Sequence, residues 1–342
     1  MESINTHPLL TAVIGTPEAG ASGIFAILDV LSSVGRDWQL LHGQAVSSPR
    51  FLPKLVTLDG KPFRGPNGIV IEPQAALSDI VQPDLVIIPE LNVDTASPLP
   101  ASYRPVADWL LAIHGQGATI ASVCSGSLLL GMTGLLDGED ATTHWGYCDA
   151  MTRLFPRVRL RRERILVPAG SGHRLITAGG ATSWYDLLLY LIARFGRPED
   201  ARQIAKVYLL QSHHDGQLPF AGLCAMRQHE DQLVAEAQLW IAGQYTHANP
   251  VTAMAARSGL TERSFLRRFR QATGLSPMEY VQTLRIEEAK QLLETSEIPL
   301  DDVAAEVGYV EPASFRRLFR RMVGISPSTY RRQRLPAASA WA

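Results

Sequence analysis

Reactive side chains gather first around Cys124. The stretch Ala121-Ser-Val-Cys124-Ser125-Gly126-Ser-Leu-Leu-Leu-Gly131 reads as a buried strand, a turn of small residues and the start of a helix. That order makes a nucleophile elbow, a strained turn that leaves one side chain exposed at a helix N-terminus. A thiol there feels the positive end of the helix dipole and is expected to be more acidic than a free cysteine. Twenty residues on, Thr142-Thr-His144-Trp145 offers an imidazole as its partner. A plainer pair of roles fits the same residues and is preferred: Cys124 as a structural thiol lining a pocket, His144 as a hydrogen-bonded pocket or turn residue. The pair His213-His214 has neither the spacing nor the neighbours of a metal site and reads as solvated linker, so no metal and no cofactor is expected.

A second chemistry, recognition of phosphates and base edges, is written twice within residues 251–332. The first copy holds Ala255, Gly259, Phe265, Phe269, Gly274, Ser276-Pro277 and Tyr280; the second holds Ala304, Gly308, Phe315, Phe319, Gly324, Ser326-Pro327 and Tyr330 in the same order. A small Ala four residues before Gly lets two short helices cross closely, and the Gly takes the φ > 0 turn between them. The Phe pair at i and i+4 anchors the second helix to a core. Its other faces carry Arg263, Arg267, Arg268 and Arg270 in one copy and Arg316, Arg317, Arg320 and Arg321 in the other. Groove and phosphate contacts are expected from Arg263, Ser264, Arg267 and Arg268 and from Ala313, Ser314, Arg316, Arg317 and Arg320. Between the copies, residues 278–296 read as one amphipathic helix of about 28 Å, near the ~34 Å repeat of major-groove faces.

Other elements must hold these groups in place. From Leu9 an apolar strand leads to a helix through Ile24, Ile27, Leu28, Val30 and Leu31 that ends at Gly35, and residues 38–46 read as a second strand. Strands over 84–88, 118–122 and 175–178 follow, with helices over 103–114, 184–192 and 198–210. Strands alternating with helices predict an α/β doubly wound parallel sheet. An all-α tandem helix-turn-helix domain follows it. The expected partition is a first domain over 1–212, a linker over 213–230, a DNA-binding domain over 231–334 and a tail over 335–342. Arg157, Arg159, Arg161, Arg162 and Arg164 alternate around a strand-like segment and are expected to face solvent.

A chain of 342 residues exceeds one compact core, which agrees with two domains. The net charge of −1 hides an uneven placement: 14 of the 32 Lys and Arg residues and 12 of the 33 Asp and Glu residues lie from Asp231 onward, and the arginines cluster on the two predicted recognition helices. Three cysteines, Cys124, Cys148 and Cys224, make no disulfide framework and fit a reducing compartment. No basic-then-apolar leader opens the chain, and the longest apolar segment, 187–193, is too short to span a bilayer. A cytoplasmic protein is expected.

On Gly274-Leu-Ser-Pro277, Gly324-Ile-Ser-Pro327, Tyr330-Arg331 and the repeat around them, residues 231–332 resemble the AraC-type transcription regulators, whose DNA-binding domain is two such units joined by a long helix. On Cys124 at the elbow, Thr133-Gly-Leu-Leu-Asp-Gly138, Thr142-Thr-His144 and Thr177-Ala-Gly-Gly180, residues 9–210 resemble the PfpI/ThiJ superfamily, the class I glutamine-amidotransferase-like fold. The whole chain looks like AraC-type regulators with a PfpI-like sensor domain in front. The resemblance implies a homodimer that binds promoter DNA, with RNA polymerase as a further partner for an activator. It also implies a small nitrogenous effector of the arginine, carnitine or betaine kind.

Three departures from the superfamily's enzymes argue against hydrolysis. Ser125 stands where proteases have His, and the acidic residue of the first helix would fall near Gly23, with Glu18 too early. Pro89-Glu90-Leu91 replaces a Gly-Gly whose N–H groups would serve as donors, and proline has none. A ligand mouth is expected at Cys124, Ser125, Glu90, Leu91, His144 and Trp145, at the carboxyl ends of parallel strands, with Glu90 near tryptophan suited to a cationic amine. The alternative is a cysteine-dependent amidase or glyoxalase-like enzyme with a regulatory DNA-binding tail.

Overall fold

Successive residues of a strand point to opposite faces, and in the first half of the chain both faces are apolar. Seven strands, β1 (Leu9–Ile14), β2 (Phe51–Thr57), β3 (Ala75–Ala76), β4 (Leu85–Ile88), β5 (Thr119–Val123), β6 (Leu166–Ala169) and β7 (Leu175–Ala178), form one sheet in the order β6-β7-β5-β4-β1-β2-β3. The β6–β7 pair is antiparallel and every other pair is parallel. The helices of this half are α1 (Ala21–Ser33), α2 (Asp37–Leu41), α3 (Arg104–Gly115), α4 (Gly126–Gly131), α5 (Cys148–Leu154), α6 (Trp184–Phe195) and α7 (Pro198–Val207). Ala12, Ile14, Val86, Ile88 and Ile120 share one core with Leu110 and Ile113 of α3 and Leu128 of α4. Val13, Ile87, Ala121 and Val123 share the other with Ile27 and Leu31 of α1, Leu187 and Leu191 of α6 and Ile204 of α7. A sheet buried on both faces needs helices on both, so the doubly wound layering follows from the alternation itself.

The protein is described by a computed structural model over residues 7–211, 213, 216–220 and 231–333. Contacts divide the chain after Gln217 into two units. Most of the expected linker 213–230, including His214 and Cys224, and the expected tail 335–342 lie outside the described residues. No helix among the described residues is long and apolar enough to cross a membrane.

The strand expected over 38–46 is not there. Gly35 turns the chain at φ +78°, and the next residues close the short helix α2, where the His42 ring stacks on Trp38 at 3.9 Å with Nδ1 2.8 Å from the Trp38 carbonyl. Leu40 and Leu41 stay exposed, so this apolar run has no layer to join. The second strand is β2, masked in the sequence by a half-buried Pro53 and an exposed Lys54 that interrupt its apolar run.

The second unit is helical: α8 (Gln232–Ala242), α9 (Pro250–Arg257), α10 (Glu262–Thr273), α11 (Pro277–Thr295), α12 (Leu300–Glu306), α13 (Pro312–Val323) and α14 (Pro327–Gln333). It holds two cores. Val234, Ala237 and Ile241 of α8 pack with Met254 and Ala255 of α9, Phe265 and Phe269 of α10, and Tyr280 and Val281 of α11. Ile286, Ala289 and Leu293 of α11 pack with Val303 and Ala304 of α12 and Phe315 and Phe319 of α13. Each fully buried Phe contributes about 1.5–3 kcal/mol, which pins the arginine-bearing helices. One continuous helix thus gives its first half to one core and its second half to the other. The repeated punctuation works as its residue types require. Gly274 (φ +82°) and Gly324 (φ +87°) end α10 and α13 in the left-handed conformation. Ser276 and Glu279 then cap α11 reciprocally, Ser276 Oγ accepting from Glu279 N at 3.2 Å and Glu279 Oε2 from Ser276 N at 2.7 Å.

Candidate functional site

β5 ends at Val123, and Cys124 follows in the left-handed region at φ +57°, a conformation that costs an L-residue energy and marks an elbow. Its backbone is held on both sides: Cys124 N donates to Ala178 O at 3.0 Å, while Thr143 Oγ1 and Ser127 Oγ donate to Cys124 O at 3.0 and 2.9 Å. Gly126 lets the elbow press on the end of β4, since a Cβ there would lie 2.4 Å from Pro89 O. The strained turn anticipated from the sequence is present, but the acidic thiol is not. Burial pushes the Cys124 thiol up to about 11, with the nearby Glu90 charge adding to the effect and hydrogen bonds from Ser125 opposing it. Helix α4 has six residues, all buried, and desolvation outweighs what its dipole offers.

The acidic residue missing from α1 returns from the opposite wall. The Glu90 carboxyl leans on α1 where glycines leave room: a Cβ on Gly20 would lie 2.1 Å from Oε1, and one on Gly23 2.1 Å from Oε2. Burial raises its pKa, and the Glu90 and Gly23 backbone N–H groups offset only part of that. Oε2 is buried without a full hydrogen bond. Glu18 is occupied elsewhere, accepting from Tyr103 OH at 2.9 Å. Beside Glu90, Ser125 and Leu91 close on each other: Leu91 N donates to Ser125 Oγ at 2.8 Å and Ser125 Oγ donates to Leu91 O at 2.6 Å. Of the two backbone donors that follow Pro89, Leu91 N is therefore taken by Ser125, and Glu90 N faces its own carboxyl.

His144 stands on the loop before α5, next to Thr143, whose hydroxyl bonds the elbow carbonyl. Its Nδ1 accepts from Gly146 N at 2.9 Å, which puts the proton of the neutral ring on Nε2, and burial lowers its pKa. No hydrogen bond joins His144 to Cys124 among the described residues. The Trp145 ring lies 4.9 Å from that of His144. The structure thus brings Cys124, Ser125, Glu90 and Leu91 together and sets His144 and Trp145 on the neighbouring loop. Sequence reasoning missed Tyr147, whose phenol is pushed up by burial and by Cys124 and donates to Val93 O at 3.1 Å.

His213, read as solvated linker, is instead held by the half-buried end of α6. Its Nδ1 lies 2.7 Å from Asp186 Oδ2, its N donates to Asp186 Oδ1 at 3.0 Å, and its ring stacks on Tyr185 at 4.9 Å. A buried carboxylate demands a partner, and the chain beyond α7 supplies it. Of the arginines expected to face solvent, Arg157 pairs with Asp137, Arg159 and Arg161 with Asp140 and Arg162 with Asp149, all from exposed positions. A cavity of about 740 Å³ opens at the amino ends of the strands, beside Leu9, Asp84 and Thr119. Its Arg50, Arg174 and Arg194 donate to the carbonyls of Phe195, His114 and His173. These guanidinium groups tie chain segments together, and in folds of this kind ligands sit at the opposite, carboxyl ends of the strands, where the elbow lies.

In the second unit the expected contact residues divide by what they already touch. Arg268 Nε pairs with Asp231 at 2.6 Å, Arg316 pairs with Asp301, and Arg317 donates to Ser314 Oγ at 3.1 Å. Ser264 N caps onto Thr261 Oγ1 at 3.3 Å. Arg263, Arg267 and Arg320 are exposed on α10 and α13, and Ala313 is exposed at the start of α13. Sequence reasoning missed Arg285 of α11, which is 9% exposed. It donates to the carbonyls of Tyr245 (2.7 Å), His247 (3.0 Å) and Gly308 (3.1 Å).

Residues 44–194 match the DJ-1/PfpI family and residues 254–333 match a Helix-turn-helix domain family. The chain is 27% identical over 286 residues to the HTH-type transcriptional regulator CdhR of Pseudomonas aeruginosa, covering 80% of each protein. It is 33% identical over 104 residues to the HTH-type transcriptional activator AarP of Providencia stuartii, covering 30% of this chain and 77% of that one. It is 31% identical over 147 residues to an isonitrile hydratase of Pseudomonas putida, covering 42% of this chain and 60% of that one. With two helix-turn-helix cores on one strut and an elbow-bearing sheet before them, the chain belongs to the AraC-type HTH transcriptional regulators that carry a DJ-1/PfpI domain in front.

Proposed function

We propose that this regulator grips promoter DNA with α10 and α13 and takes a small nitrogenous metabolite at the mouth formed by Cys124, Ser125, Glu90, Leu91, His144 and Trp145. One observation carries the DNA reading: two equivalent cores, each with a buried Phe pair under an exposed arginine-bearing helix, share α11. Arg263, Ser264, Arg267 and Arg268 and then Ala313, Ser314, Arg316, Arg317 and Arg320 form the reading faces. Binding to a promoter fragment, measured by fluorescence anisotropy, should collapse in the triple variant Arg263→Ala, Arg267→Ala, Arg317→Ala; unchanged affinity means that other helices read the DNA. The chain works in the cytoplasm as a homodimer, the promoter and RNA polymerase being its partners.

The ligand reading is supported by Glu90, whose buried Oε2 lacks a full hydrogen bond beside the elbow. An N–H-bearing ligand supplies a donor there, and a quaternary amine supplies a compensating charge. Calorimetry against amino acids and quaternary amines tests it, and full affinity in Glu90→Ala would place the ligand elsewhere. A second reading, turnover at Cys124, is favoured by the strained φ of that residue and by the likeness to the isonitrile hydratase. It asks for a thiolate, a base and a free oxyanion donor. Here the thiol is held up by burial, His144 is not bonded to it, and Leu91 N is occupied. A turnover assay of wild type beside Cys124→Ala separates the two readings, since any hydrolysis or hydration must vanish with the thiol.

A further inference from the structure

The first unit does not end with its last helix. Beyond α7 the chain doubles back to the elbow face, where Gln217, the last residue of the unit, is 1% exposed. Its amide is shared between the loop that carries His144 and the segment 162–164 beside it. Nε2, with two hydrogens to give, lies within hydrogen-bond reach of Thr142 Oγ1 (3.1 Å) and of the carbonyls of Thr143 (2.8 Å), Arg162 (3.1 Å) and Arg164 (3.3 Å), and Oε1 accepts from Trp145 N at 3.0 Å. Two glycines make the fit. A Cβ on Gly216, which sits at φ +73°, would lie 2.2 Å from Glu163 O, and a Cβ on Gly179 would lie 2.9 Å from Cδ and Oε1 of Gln217. The strand-end Gly179 thus leaves the room in which this amide lies.

We propose that Gln217 is a latch that fastens the start of the interdomain segment to the loop 142–145, so that displacing the loop releases the segment leading to the DNA-binding unit. Two of the residues assigned to the ligand mouth, His144 and Trp145, stand on that loop. The proposal rests on the elbow mouth being the effector site for its regulatory meaning, but the latch itself is testable with no ligand present. A ligand that moves Trp145 withdraws the donor that Oε1 accepts from, and the amide loses its seat.

Hydrogen exchange followed by mass spectrometry on the full chain tests this with two variants. Gln217→Glu turns the donor into a carboxylate facing three carbonyls. Gly179→Ala keeps every hydrogen-bonding group but puts a methyl against the far end of the Gln217 side chain, an obstruction the flexible side chain relieves by leaving. In both variants, exchange in 142–147 and in 213–217 should rise together by about tenfold, the factor expected for the loss of one good hydrogen bond. The double variant should add nothing further. If 213–217 opens while 142–147 keeps its wild-type exchange, or if Gly179→Ala leaves both unchanged, the latch is refuted; should Gln217→Glu fail to fold, Gly179→Ala decides alone. Calorimetry of wild type with glycine betaine, L-arginine and L-carnitine is a separate arm: no binding there sinks the sensing reading and leaves the latch standing.

Discussion

Removing the guanidinium of Arg285 should uncouple the two helix-turn-helix cores. This residue stands on α11 between Val281, which packs in the first core, and Ile286, which packs in the second. Tyr245 and His247 precede the first helix-turn-helix, and Gly308 is the turn of the second, so its three hydrogen bonds join the two halves through one side chain. The planar group also lies 5.1 Å from the Tyr309 ring centre. There is no slack around it, because a Cβ on Gly308 would lie 2.8 Å from Thr246 Cα.

The magnitude follows from what Arg285→Leu leaves behind. A hydrogen bond from a charged donor contributes ~1.5–3 kcal/mol, and three are lost. Tyr245 and Gly308 are half-buried and His247 is exposed, so water recovers part of the loss, and leucine offsets more by sparing the burial of a charge. A net cost of about 2–3 kcal/mol remains, a fall in Tm on the order of 10 °C for a unit of this size. The functional cost should exceed the thermal one. Tandem engagement adds ~10²-fold or more over a single module when geometry permits both to bind, so affinity for a fragment with both half-sites should drop about a hundredfold while a single half-site is bound as before. Calorimetry and anisotropy on the two fragments read this directly, and Arg285→Lys, which keeps the charge without the fork, should behave almost as badly. A parallel loss on both fragments, or a Tm shift below about 2 °C, would refute the reasoning and leave Arg285 as ordinary packing.

The remaining predictions concern the reading faces and the elbow. Arg263→Ala, Arg267→Ala and Arg320→Ala should each lower the slope of log affinity against log salt by about 0.9 where the side chain neutralises a phosphate; Arg268→Ala and Arg316→Ala, whose groups are already paired with Asp231 and Asp301, should change it less, and equal slopes would overturn that division. Alkylation of Cys124 by iodoacetamide should climb about tenfold per pH unit up to about 11, because a raised thiol pKa keeps the reactive thiolate scarce until pH approaches it; Glu90→Gln, which removes a neighbouring negative charge, should speed the reaction, and a plateau near the ordinary thiol value would contradict the burial argument. Ala304→Leu, at a fully buried helix crossing, should cost ~1–3 kcal/mol by overpacking, and unchanged thermal stability would mean the crossing is looser than its geometry.

What could be read from the residues alone was what they encode locally. The doubled module declares itself through Gly274 and Gly324 at φ > 0, through Ser276-Pro277 and Ser326-Pro327, and through Phe pairs one turn apart; each signal lies within a few turns of the helix it specifies. The elbow at Cys124 is equally local. What escaped depends on tertiary neighbours. The dipole argument for an acidic Cys124 was sound for an exposed turn, and burial reversed it. Gln217 and His213 sit in a stretch without period, and nothing nearby in sequence announces that Asp186 is buried or that Gly179 leaves a seat. Gly23 and Glu90 are the most instructive pair. Read along the chain, a first helix without its acid and a strand end without its Gly-Gly are two separate losses. Folded, they are one exchange: the carboxyl reaches from the end of β4 into the room Gly20 and Gly23 leave on α1. That exchange keeps an acidic lining beside the thiol, while Ser125 consumes the Leu91 N–H that acyl chemistry would need. An elbow altered in this direction keeps a carboxyl beside the thiol and gives up a donor that would stabilise an oxyanion, which is the change that the proposed sensing role asks for.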